Sequence, residues 1–148
     1  MRFGPVKVLL LATMLGLSAC ADPGNPPGVY AGQGQDRRVV TNIEFDFDSF
    51  RIRPGNFAQL DNVAAALNDP ALAGSRFEID GHTDISGRLA YNISLSQLRA
   101  AAVLDYLAQR GVPPQRMRAQ GFGPLQLLDP SFPRSPANRR VEVVATPF

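Results

Sequence analysis

The chain is poor in the residues that usually announce chemistry. Its 148 residues include one cysteine, Cys20, and one histidine, His82. A lone cysteine excludes a disulfide within the chain. A lone histidine with no cysteine after position 20 lacks the usual ligand sets for a metal, so no metal and no cofactor is expected. Ser86, Ser94 and Ser96 stand near His82. No nucleophile-elbow pattern surrounds them, so a Ser-His-Asp hydrolase is not expected. His82 reads instead as a hydrogen-bonded structural histidine, and no catalytic residue is assigned. Excess charge is scarce as well. The formal charge is +2, and setting aside Arg2 and Lys7, which lie in a segment expected to be removed, leaves 13 basic residues against 13 acidic ones. A near-neutral chain has no electrostatic footprint for nucleic acid. Long apolar runs are missing too, apart from residues 6–17. That run is too short to span a bilayer, and no other segment is long and apolar enough.

What is present begins at the N-terminus. Arg2 and Lys7 flank the start of the apolar run, which ends in Leu17-Ser18-Ala19-Cys20. A basic start, a short apolar stretch and small residues before a cut site describe a secretory signal over residues 1–19. The cysteine directly after Ser18-Ala19 resembles the lipobox of bacterial lipoproteins. That resemblance implies that Cys20 becomes the first mature residue and carries acyl chains. Several acyl chains give stable anchoring where one does not. Residues 20–36 then form a linker rich in Pro, Gly, Asn and Gln, with a mean span of roughly 20–25 Å.

The remainder, residues 37–148, reads as one domain. Ile43, Phe45 and Phe47 alternate with Glu44, Asp46 and Asp48, which predicts a strand over residues 39–48 with the aromatics on one face. In that strand Asp46 and Asp48 face outward, which disfavours a catalytic pair of carboxylates. Phe50 falls just beyond it, at the rim or in the core. Phe57, Leu60, Val63, Ala64 and Leu67 recur at helical spacing and are followed by Asn68-Asp69-Pro70. A strand over residues 76–82 comes next, then a long helix over residues 88–110 stopped by Gly111. Residues 116–122 and 139–146 read as strands, separated by a loop carrying Pro124, Pro130, Pro133 and Pro136. The order is β-α-β-α-β-β. Strands alternating with helices imply an α/β (α+β) sandwich, with two main helices on one face of a small mixed sheet.

Two charges stand out on this frame. Asp84 lies at the mouth of the turn after the second strand, and Arg99 lies about three helical turns into the long helix. On an ideal helix Arg99 points nearly the same way as Asn92, Leu95, Val103 and Tyr106. A guanidinium in an apolar stripe calls for a partner. Two readings follow: a salt bridge that orients the helix, or a receptor for a small zwitterionic group.

Together these segments resemble the OmpA-like peptidoglycan-binding domain of peptidoglycan-associated lipoproteins, flagellar stator proteins and some porins. The matching residues are Ile43-Glu44-Phe45-Asp46-Phe47-Asp48, Gly81-His82-Thr83-Asp84 with Gly87, Asn92, Leu95-Ser96, Arg99-Ala100 and Tyr106-Leu107. Gly111-Val112, Gly121-Phe122-Gly123 and Asn138-Arg139-Arg140-Val141-Glu142 complete the set. With no barrel strands ahead of the domain, the likeness is to the lipoprotein branch. It implies non-covalent peptidoglycan binding without catalysis, Asp84 and Arg99 gripping the diaminopimelate of the stem peptide. Asn92, Asn138 and Arg139 match motif positions near the same rim. It also implies an outer-membrane lipoprotein whose domain faces the periplasm and tethers membrane to wall. Envelope protein partners are compatible with it, as is the alternative of an adaptor docking to a trans-envelope complex. Ala21 and Asp22 leave inner against outer membrane sorting open, and the proline-rich loop over residues 125–136 could reshape the groove.

Overall fold

The fold comes from a computed structural model that describes residues 29–30, 37–41, 43–46 and 48–147. The expected signal, Cys20 and most of the expected linker lie outside the described residues. Among the described residues the strands and α-helices follow in order: β1 (Val29–Tyr30), β2 (Arg37–Thr41), α1 (Phe57–Leu67), β3 (Ser75–His82), α2 (Leu89–Gln109), β4 (Met117–Gly123) and β5 (Val141–Pro147). The sheet order is β1-β2-β5-β3-β4. The β3–β4 pair is parallel and the others are antiparallel. The crossover between the parallel strands is α2, as parallel pairing requires.

Apolar spacing decides which faces are buried. Leu60, Val63, Ala64 and Leu67 of α1 and Ala100, Val103 and Leu107 of α2 meet Phe77, Ile79, Val141 and Val143 of the sheet. Phe57 stacks on Tyr106 with ring centres 5.2 Å apart, and Tyr106 and Arg110 both donate to Asp61, joining the two helices at their exposed edge. The α2 helix stops where Gly111 turns to φ +88°. There the Val112 N–H reaches the Leu107 carbonyl and the Gly111 N–H the Ala108 carbonyl, a Schellman ending.

Two glycines set how closely α2 lies on the sheet. A Cβ on Gly81 of β3 would stand 2.2 Å from the Ser96 carbonyl oxygen, and one on Gly121 of β4 would stand 2.3 Å from the Gln97 nitrogen. The helix backbone therefore rests on the strand backbones with no side chain between. Polar side chains of α2 complete the contact. Gln97 Oε1 accepts from the Gly121 N–H at 2.8 Å, and Ser96 Oγ accepts from the Gly123 N–H at 2.9 Å.

The first strand departs from expectation. Its ladder with β5 ends at Thr41, and Phe45 is joined only to Ile52 by an isolated antiparallel bridge. The alternating stretch instead turns back as an arm, closed by Asp46 N–H to Arg51 O and Arg53 N–H to Glu44 O, each at 3.1 Å. Asp48 at φ +51° lies within the reversal. A period of two thus reports a bridged arm as well as a ladder strand. The order also gains β1, because Val29 and Tyr30, in the segment read as linker, pair with Val39 and Arg38.

Candidate functional site

The site forms where β3 ends. A register shift between Gly81 and His82 turns the chain out of the ladder, and the Thr83 N–H is held by the Gly123 carbonyl at 2.9 Å. Asp84 follows, 7% exposed. Its Oδ1 accepts the Ser86 N–H at 2.8 Å, an Asx-type turn that fixes the carboxylate. Asn92, buried on α2, braces the same turn by donating to the Ser86 carbonyl at 2.8 Å. Gly87 completes the turn at φ +92°, a conformation that favours glycine.

Asp84 Oδ2 accepts Arg139 Nη1 at 2.7 Å. The ion pair of Asp84 is therefore with Arg139, across 55 positions of sequence, and not with Arg99. Burial pushes the Asp84 carboxyl up, but the hydrogen bonds from Arg139 and Ser86 outweigh it and hold the group below its ordinary 3.8.

Arg99 stands elsewhere in the same cleft. Its Nε donates to the Ser49 carbonyl at 3.0 Å, and its guanidinium lies 4.8 Å from the centre of the Phe45 ring. The reversed arm of residues 43–53 thus supplies both supports. Burial lowers the Arg99 pKa, and the neighbouring Arg139 charge lowers it further, against the opposing pull of Asp48 and Asp84. Arginine remains protonated at any working pH.

Between these groups is an open cleft of about 660 Å³ lined by Phe45, Asp48, Asp84, Tyr91, Asn92, Arg99 and Arg139, among others. The Tyr91 hydroxyl donates to Asp48, closing the arm onto α2. His82 is buried in the wall, its ring parallel to Phe122 with centres 5.4 Å apart. Phe50 is 51% exposed, so it belongs to the rim side of the arm rather than the core.

Asn138 takes a different place. It is fully buried, donating to the carbonyls of Phe132 at 3.0 Å and Asp129 at 3.3 Å and accepting from the Asp129 N–H at 2.9 Å. Its amide is spent on the proline-rich loop. Beside it Arg140 bonds Glu142 at 2.6 Å, both buried, and donates to the carbonyls of Asn138 and Gln126. Loop and cleft wall are thus fastened to β5. The structure brings Asp84, Arg99, Asn92 and Arg139 onto one cleft and sets Asn138 behind it. The sequence reading missed Asp48 and Tyr91 as lining groups. Tyr91, Leu95 and Arg99 recur every four residues, a spacing that could have revealed the helix face.

Fold and cleft define a class: a two-layer α+β domain with an ion-lined cleft at the carboxyl end of its parallel strand pair. The chain belongs to the OmpA family, whose profile matches residues 44–140. It is similar to the peptidoglycan-associated lipoprotein of Rhizobium meliloti, 38% identical over 132 residues that cover 80% of this chain and 73% of that protein. Among solved structures, the peptidoglycan-associated lipoprotein from Burkholderia pseudomallei matches at 30% identity and a TM-score of 0.59, covering 70% of this chain and 88% of that one. The periplasmic domain of Helicobacter pylori MotB shares the fold, with a TM-score of 0.68 at 20% identity over 80% of this chain and 87% of that one.

Proposed function

We propose that this protein binds peptidoglycan non-covalently, catalyses no reaction, and tethers the outer membrane to the wall from the periplasmic side through an acylated Cys20. The observation that carries the reading is the meeting of Asp84 with two guanidiniums, Arg99 and Arg139, around one open cleft, in a chain whose relatives include peptidoglycan-associated lipoproteins. In this reading residues 1–19 are the signal, residues 20–36 the tether, and residues 37–148 the binding domain.

The chemistry suits a diaminopimelate side chain, which ends in an ammonium and a carboxylate on one carbon. Asp84 takes the ammonium. A planar guanidinium takes the carboxylate through paired hydrogen bonds, which a lysine could not reproduce. Asn92 acts through the turn it braces and Asn138 through the loop it holds. Two or three charge-assisted contacts contribute roughly 1.5–3 kcal/mol each, against an association cost of at least about 4 kcal/mol. One site therefore binds modestly, and a membrane tether compensates by raising the local concentration.

The test is cosedimentation of the full chain in detergent with diaminopimelate-type peptidoglycan, beside Asp84→Ala and Arg99→Ala, with circular dichroism on each. Wild type pellets with the wall, and both folded variants stay in solution. A folded wild type that remains in the supernatant overturns the wall reading and points to docking on envelope proteins.

A further inference from the structure

The cleft is internally paired before any ligand enters. Asp84 Oδ2, the acceptor an incoming ammonium would need, already holds Arg139 at 2.7 Å. The two partners are unequal. The Asp84 side chain is 9% exposed and pinned by the Ser86 N–H, whereas the Arg139 side chain is 47% exposed. Arg139 is thus the partner free to move. Arg99 is not, because the Ser49 carbonyl and the Phe45 ring hold it from two sides. Asp48, the other carboxylate near Arg99, is engaged by Tyr91.

The geometry points to Arg139 as a resident substitute for the ligand's ammonium, whose displacement makes the cleft select ligands that carry both charges. This rests on the function proposed above and concerns which wall chemistry the same cleft accepts. As diaminopimelate enters, its ammonium takes Oδ2, and the released guanidinium turns to the ligand carboxylate beside Arg99. Two ion pairs replace one, and no charge is left alone. A lysine side chain brings only the ammonium. It can occupy Oδ2 only by leaving Arg139 unpaired next to Arg99, a like-charge juxtaposition inside a partly desolvated cleft. Selectivity then comes from what the wrong ligand leaves behind as much as from what the right one gains. The strength of Arg139's hold on Asp84 sets the threshold.

The experiment is calorimetric titration of the full chain in detergent with two muropeptides that differ only in carrying diaminopimelate or lysine. Wild type prefers the diaminopimelate form by about tenfold or more, the worth of one charge-assisted pair. Arg139→Gln, which removes the cation from Oδ2, gains affinity for the lysine form and narrows the preference to roughly threefold. Arg139→Lys keeps a cation on Asp84 and keeps the preference. Arg139→Met supplies a second neutral side chain, should circular dichroism show Arg139→Gln to be misfolded. Equal weakening toward both ligands in the neutral variants overturns the proposal, because Arg139 would then be a plain contact while Oδ2 accepts guanidinium and ammonium together. That result leaves wall binding intact. A wild type that binds both forms alike also overturns it, and a folded wild type that binds neither removes the wall reading with it.

Discussion

Replacing Gly121 with alanine tests whether the cleft is gauged by backbone contact. The added Cβ would meet three backbone atoms of α2: Gln97 N at 2.3 Å, Gln97 Cα at 2.7 Å and Ile93 O at 2.7 Å. None of these can rotate aside. Restoring ordinary contact, which begins at 3.4 Å, requires a separation of about 1.1 Å, the difference between 3.4 and 2.3. Overpacking of this kind costs about 1–3 kcal/mol. The shift also stretches the bond from the Gly121 N–H to Gln97 Oε1. Arg99 lies two residues beyond Gln97 and moves with the helix, while Asp84 hangs from β3. Ligand affinity is therefore expected to fall by about tenfold even in the folded fraction. Urea unfolding followed by circular dichroism gives the stability loss, and titration with a diaminopimelate muropeptide gives the affinity. Gly74→Ala is the control, because a Cβ there meets nothing within 4 Å, and it should stay within about 0.5 kcal/mol of wild type. A Gly121→Ala protein with wild-type midpoint and wild-type affinity would refute the close seating of α2 on β4.

Two further outcomes follow from the same geometry. Asn138→Ala leaves the Asp129 N–H and the Phe132 carbonyl without their amide partner; it should cost about 1–3 kcal/mol and speed amide exchange at Asp129, and unchanged exchange there would show the loop to be held by other bonds. The Asp84 carboxyl is held below 3.8 in the folded state, so its contribution to stability is fully present above that value and is lost as pH falls through the lower folded value. Urea midpoints between pH 6 and 2 should therefore fall more steeply for wild type than for Asp84→Asn, and parallel curves would contradict the Arg139 pairing.

Much of this was legible in the sequence, for physical reasons that can be named. The helices announced themselves because their buried positions repeat at helical spacing and Gly111 marks the stop. The strand over β3 was visible through Phe77 and Ile79. The arm was misread because alternation records which side chains are covered, not which backbone covers them. Ile43 is buried in the core and Phe45 packs against it beneath Arg99 of α2, as on a sheet face, yet the ladder has already ended at Thr41. The partner of Asp84 was not legible either. Charge type narrows the choice to an arginine, but three-dimensional approach selects Arg139 over Arg99, and that approach depends on the β5 register and on the loop Asn138 organises. The second guanidinium near Asp84 gives the cleft a pairing that sequence order conceals.

The place of β5 between β2 and β3 has a mechanical consequence. Thr41 and Gly81 both lie beside Val141, so Arg37 and Asp84 are at opposite ends of the strands. On the proposed tethering role, tension from the membrane reaches β2 at Arg37 once the two-residue β1 has peeled away, and tension from the wall arrives at Asp84. The two pulls are antiparallel and run along the strands. The hydrogen bonds of the β2–β5 and β5–β3 ladders lie across that axis, so they carry the load side by side and must yield together. A zipper pulled from one end would lose them singly. On that role the strand order makes the domain a lap joint, which resists a pull along its strands better than one across them.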